Sequence, residues 1–206
     1  MNLTIAKDIR TEQVISRSRF ICSLKKVKTE EEALEFIKAV KKEFWDATHN
    51  CSAYVIDDRH QRSSDDGEPS GTAGMSMLGV LRKQELQQVA AVVTRYFGGI
   101  KLGAGGLVRA YSGSVAHAVE AAGLAQKVKM GLYMFSCVPG EAGKITNLLY
   151  QQQLFGLADT EYGNAVIFTL RMPEDRKPAA EKWLTDTLQK PIELTEAGFE
   201  YAEIPV

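Results

Sequence analysis

Two stretches of this 206-residue chain carry side chains whose types and spacing suit chemistry. The first runs from Arg95 to Tyr111 and threads five glycines, Gly98, Gly99, Gly103, Gly105 and Gly106, between the cations Arg95, Lys101 and Arg109. Glycine is entropically costly, so a chain uses several together where φ must be positive or where another backbone or a ligand comes close. Bare backbone beside fixed positive charge suits an anion. The second stretch, Ser63 to Gly74, is polar, rich in turn residues, and holds Asp65, Asp66 and Glu68. These carboxylates could ligate a divalent ion, act as general acid and base, or pair with the cations of the glycine loop. His49, two residues before Cys51, joins them as a candidate.

The glycine stretch departs from two familiar phosphate loops. It has no Lys followed by Ser or Thr after a final glycine, as a P-loop requires. A dinucleotide fingerprint starting at Gly103 and Gly105 would place Val108 where the third glycine allows close helix packing. Tight turns and helix packing alone would also account for the glycines. For the acidic stretch, the twelve-residue calcium-hand spacing is missing.

The elements that must position these residues follow from hydrophobic period. Val89 to Thr94 is a nearly continuous apolar, β-branched run that reads as a buried strand within 87–97. Leu107, Tyr111, Val115, Ala118 and Ala122 recur three or four apart, the face of a helix that Gly123 ends. The free amides at such a helix start, with the helix dipole, form a ready anion site. Upstream, strand pattern runs over 13–27, a helix over 29–44 carries the capping box Thr29 and Glu32, a strand spans 50–57, and a short helix spans 75–83. The pattern breaks at 123–129, which reads as a linker between a domain at 1–125 and another at 129–206. The second domain reads strand 129–138, helix 139–152, strands 154–162 and 164–172, helix 173–188 and strand 192–201. That β-α-β-β-α-β order is the ferredoxin-like plan. The fold class is α+β with two domains.

His49-Asn50-Cys51-Ser52-Ala53, Ser64-Asp65-Asp66-Gly67-Glu68-Pro69, Gly71-Thr72-Ala73-Gly74 and Arg95-Tyr96-Phe97-Gly98-Gly99 through Gly105-Gly106-Leu107 together resemble the signature of the IMPACT family in its bacterial YigZ/YvyE-like form. The resemblance covers essentially the whole chain. It implies a first domain with the fold of the second domain of ribosomal protein S-five and a second domain like the last domain of elongation factor G. The family's eukaryotic members regulate translation under stress by competing for the activator of a kinase that phosphorylates an initiation factor, and they carry an added RWD domain. No such domain is expected here, so that partner does not carry over. No catalytic activity and no cofactor are implied.

With 45% hydrophobic and 25% charged residues the chain has the composition of a folded protein. It has no apolar run of membrane-spanning length and no signal-peptide core at its start, so no membrane partner and a cytoplasmic location are expected. Cys22, Cys51 and Cys137 lack metal or redox spacing and read as reduced, buried small hydrophobes. Residues 1–125 hold 17 basic against 15 acidic residues, and 126–206 hold 8 against 11. Neither half is basic enough for a general nucleic-acid binder, so binding needs a local patch.

The leading expectation is a translation-associated binding protein that contacts RNA or the ribosome. Its phosphate site would comprise Arg95, Gly98, Gly99, Lys101, Gly103, Gly105, Gly106 and Arg109, with His49, Asp65, Asp66 and Glu68 as an accompanying acidic-loop site. No catalytic residue and no metal ligand is assigned. An enzyme acting on a small phosphorylated or nucleotide substrate is the first alternative. A protein adaptor without nucleic-acid affinity is the second, with a partner in translation control.

Overall fold

The computed structural model describes residues 3–206. They form two units, one running to residue 127 and joined by 203–206, and one of 128–202. Both mix helix and strand, as the α+β reading expects.

The first unit is built on a five-stranded antiparallel sheet in the order β2 (Ile9–Ile15), β3 (Ser18–Lys26), β6 (Val89–Tyr96), β4 (His49–Val55) and β5 (Gln61–Ser64). Helices α2 (Gly74–Lys83) and α3 (Gly103–Ala122) pack on one face, where Phe20, Met77, Leu81, Tyr111 and Val115 form the main core. Helix α1 (Glu30–Glu43) covers the other face over Val27, Ala33, Tyr54 and Ala90. Strand β6 is central and covered on both sides, which is why its sequence is an uninterrupted apolar run instead of an alternating one. At α1, the Thr29 hydroxyl accepts from the Glu32 amide at 3.3 Å, while the Glu32 carboxylate accepts from the Lys28 amide at 2.7 Å. The box is thus closed one residue earlier than its standard form.

Three readings are corrected. The pattern at 13–27 is a hairpin of β2 and β3, turned at Ser16 and Arg17 with φ of 46° and 67°. That is the primed two-residue geometry that matches strand twist, made here without Asn or Gly. Strand β1 (Leu3–Ile5) and strand β5 are additional elements. The expected linker at 123–129 is instead the start of β7 (Leu124–Cys137), a 14-residue strand that begins directly after the left-handed Gly123. Its first residues pair with β1.

In the second unit, β7 leads to α4 (Ala142–Tyr150), β8 (Gly156–Tyr162), β9 (Val166–Met172), α5 (Lys177–Leu188) and β10 (Thr195–Pro205). The sheet order is β10-β7-β9-β8, with β9 antiparallel to both neighbours. This is the split β-α-β arrangement of the ferredoxin-like plan. Tyr133, Phe135 and Phe168 are buried beneath the helices. As core residues they are not available to stack bases.

Candidate functional site

Register across three strands places the first side chains. Phe20 of β3 pairs with Arg95 of β6, which pairs with His49 of β4, so the three stand in one row on one face of the sheet. Cys51, two residues after His49, shares that face. The segment after β5 folds over the His49 end of this row and brings Glu68 onto it.

That segment is held tightly by its own carboxylates. Asp65 accepts the backbone amides of Gly71 at 2.8 Å, Ala73 at 3.0 Å and Gly74 at 2.8 Å, which ties down the start of α2. Partial burial acts to raise its pKa, but the three amides outweigh it and hold the carboxyl below its ordinary value. Asp66 sits at a φ of 45° and accepts from Lys41 Nζ at 2.5 Å and the Asn50 amide at 2.7 Å. It too lies low, burial being outweighed by Lys41 and that amide. Gly67 follows at a φ of +86° under the His49 ring, where a left-handed turn needs glycine. The Cys51 thiol donates to the Asp65 carbonyl at 3.0 Å, and burial pushes the thiol up to about 12. A thiol so protonated is no nucleophile at neutral pH.

Glu68 is the charged centre. Its side chain is 3% exposed, and its Oε1 accepts from Arg95 Nη1 and from the Tyr111 hydroxyl, both at 2.7 Å. Burial, with the carboxylate beside it, raises the Tyr111 pKa. The Arg95 guanidinium lies between the Phe20 and Phe97 rings, 5.4 and 5.5 Å from their centroids, and reaches Ser18 Oγ. Its Nε is buried and has no hydrogen-bond partner among the described residues. His49 Nδ1 lies 2.9 Å from the Asp66 carbonyl, which can only accept, so Nδ1 carries a hydrogen. Nε2 is left 3.8 Å from Glu68 Oε2.

These groups open on a cavity of about 440 Å³. Glu68, Arg95 and His49 give it polar groups, Pro69, Phe97, Leu102 and Leu107 its apolar walls, and Lys101, Gly103 and Ala104 an exposed border. The glycine segment works differently from a free loop. At Gly98 a Cβ would lie 2.0 Å from the Arg17 carbonyl oxygen, so glycine there lets the β2–β3 turn pack against the segment. Gly99 has a φ of +87°. Helix α3 begins at Gly103, four residues before the expected start, so Gly103, Gly105 and Gly106 belong to its first turn. No side chain caps that turn and no acidic residue lies in it. Its amides therefore carry the helix dipole uncompensated.

The structure thus brings His49, Glu68, Arg95, Lys101 and Gly103 to one cavity. Asp65 is engaged by three backbone amides, and Asp66 by Lys41 and the Asn50 amide. Among the described residues no group of three or more His, Cys, Asp or Glu is placed to hold a metal ion. Arg95 differs most from its expected role, since it is buried and matched by Glu68. The exposed cations around the glycine segment are Lys101, Arg109 and Arg17, none of which has an ion pair among the described residues. Arg17 lies 81 residues before Gly98 in sequence, and only the glycine at 98, signalling close approach, hints at it.

Comparison with known proteins bears on the same segments. Residues 16–119 match the Impact N-terminal domain, and residues 136–189 match a domain of unknown function, DUF1949. The chain is 47% identical to the IMPACT family member YvyE of Bacillus subtilis, over 93% of this chain and 89% of that protein. It is 40% identical to the IMPACT family member YigZ of Escherichia coli, over 71% of this chain and 74% of that one. A crystal structure of a hypothetical protein, 33% identical, superposes with a TM-score of 0.59 over 93% of this chain and 95% of the other. No helix among the described residues is long and apolar enough to cross a membrane.

Proposed function

The chain belongs to the IMPACT family, and from that premise we propose that it is a translation-linked regulatory protein whose first unit binds the phosphates of RNA. The translation link rests on the family, whose eukaryotic members regulate translation. The single observation that carries phosphate binding is the uncapped, acid-free first turn of α3 bordered by unpaired cations. Backbone amides and a helix dipole favour an anion there, and Arg17, Lys101 and Arg109 add charge without base recognition. Arg95 and Glu68 serve as the buried brace beneath the site.

The test is the affinity for labelled single-stranded RNA across a salt series, comparing the natural chain with an Arg17→Ala, Lys101→Ala, Arg109→Ala variant. The expected result is weaker binding and a log–log salt slope shallower by about 2, since each phosphate contact on a single strand contributes about 0.7. An unchanged affinity and slope overturns the proposal.

A second reading, turnover of a small phosphorylated substrate in the same cavity, is favoured by the concave, apolar-walled shape alone. In that reading Asp65 and Asp66 are already engaged by backbone amides and Lys41. Phosphate release or transfer from a phosphorylated substrate, lost in His49→Ala, would establish it.

A further inference from the structure

The cavity beside the proposed phosphate site holds two hydrogen-bond acceptors side by side. Glu68 Oε1 is filled by Arg95 and Tyr111, but Oε2 makes no hydrogen bond among the described residues. Next to it, 3.8 Å away, stands His49 Nε2. The Asp66 carbonyl selects the tautomer with its hydrogen on Nδ1, and in that tautomer Nε2 is also an acceptor. Two neighbouring acceptors that face one cavity each gain from a hydrogen-bond donor placed there. They match a ligand that offers two donors at adjacent atoms, and a vicinal diol does so. The remaining surfaces extend the match. Phe97, 47% exposed and backed by the Arg95 guanidinium, offers a face for an aromatic ring. Lys101 and the first turn of α3 border the same cavity and suit a phosphate. A volume of about 440 Å³ lies in the range of small-ligand sites, about 300 to 1,000 Å³.

We infer that this cavity binds one ribonucleotide with a free 2′,3′-diol, the diol donating to Glu68 Oε2 and His49 Nε2, the base on Phe97 and the 5′-phosphate at Lys101 and the start of α3. The inference rests on the phosphate reading above and sharpens it to the class of ligand. Such a nucleotide is either the 3′ end of an RNA strand or a free ribonucleoside 5′-phosphate. The chemistry is shared, and the experiment separates the two sources.

The test uses the full chain and fluorescence anisotropy of a 5′-labelled oligoadenylate in three forms: with its natural 3′ diol, with a 3′-phosphate, and with the diol cleaved by periodate. Unlabelled adenosine 5′-monophosphate and its 2′-deoxy form serve as competitors. The expected result is that the natural end binds about tenfold or more tighter than either blocked end, the scale of one or two hydrogen bonds to charged or buried acceptors. Glu68→Gln should reduce that preference. Should it fail to fold, His49→Phe, which removes the second acceptor, should reduce the preference too. Competition by the ribo form and weaker competition by the deoxy form supports the diol site. If the monophosphate binds in direct titration calorimetry, and its deoxy form more weakly, while no oligomer binds, the diol site stands and the RNA reading falls. Equal binding of all three ends, with salt-sensitive affinity intact, overturns the diol inference and leaves phosphate binding standing. No binding of any probe at low salt overturns both.

Discussion

In the acidic loop the chain itself answers its charges, whereas around the glycine segment three cations and the first turn of a helix are left open. Asp65 is bound by three amides, Asp66 by Lys41 and an amide, and Glu68 by Arg95 and Tyr111. Lys101, Arg109 and Arg17 are exposed, and α3 starts without a capping side chain. Charges with internal partners determine stability, and charges without them are available to a ligand. The cavity lies where the two kinds meet, since Glu68 has one oxygen of each sort.

The largest effect should come from breaking the buried pair. Arg95→Met leaves Glu68 desolvated without its cation and should cost about 3–5 kcal/mol in denaturant unfolding. Adding Glu68→Met, which removes the stranded charge, should restore most of that loss. A single variant as stable as the natural chain would mean that Glu68 is reached by water or neutral, and the brace would be lost from the account.

Next comes the clamp at α2. Asp65→Ala leaves three amides without their acceptor and should cost about 1–3 kcal/mol, measured by the same unfolding curve. The pH dependence follows from the sign of the shift. Asp65 and Asp66 lie below the ordinary value of 3.8 when folded. Their contribution is fully present above that value and is lost as pH falls through their depressed folded values. Stability plotted against pH should fall less steeply in acid for Asp65→Asn than for the natural chain. Identical acid limbs would contradict the assignment.

The smallest effect sharpens the comparison without perturbing the fold. Cys22 and Cys51 are buried with thiols pushed up to about 12, and Cys137 is buried with its thiol also raised. A thiol reagent at pH 8 should modify none of them in the native protein and all three after unfolding. Rapid labelling of Cys51 in the native state would show that the acidic loop opens, contrary to the rigid clamp described.

Much of this frame is readable from residues. The continuous run in β6 announces a strand covered on both faces, Thr29 marks the start of α1, and the period after Leu107 gives the face of α3. What escapes the sequence has local physical causes. The β2–β3 turn uses Ser16 and Arg17 at positive φ, a strain that tertiary packing against Gly98 supports and composition does not signal. Strand β5 is a polar edge paired on one side only, so Gln61 to Ser64 lacks apolar alternation. The glycines at 103, 105 and 106 suggest a loop because glycine weakens helices, yet they form the first turn of one. For the site, the sequence identifies the charged residues but not their pairing. Arg95 and Lys101 are equivalent as letters, and only the register of Phe20, Arg95 and His49 places the former inside. Arg17 enters through a turn remote in sequence.

The most direct test of the division is a pair of measurements, unfolding midpoint and RNA affinity, on two variants, the Arg17→Ala, Lys101→Ala, Arg109→Ala protein and Asp65→Asn. The predicted result is that the triple variant keeps its midpoint and loses most of its RNA affinity, while Asp65→Asn lowers the midpoint and binds RNA as before at temperatures well below it. A triple variant that binds RNA like the natural chain would contradict the claim that the open cations of the glycine segment are the site.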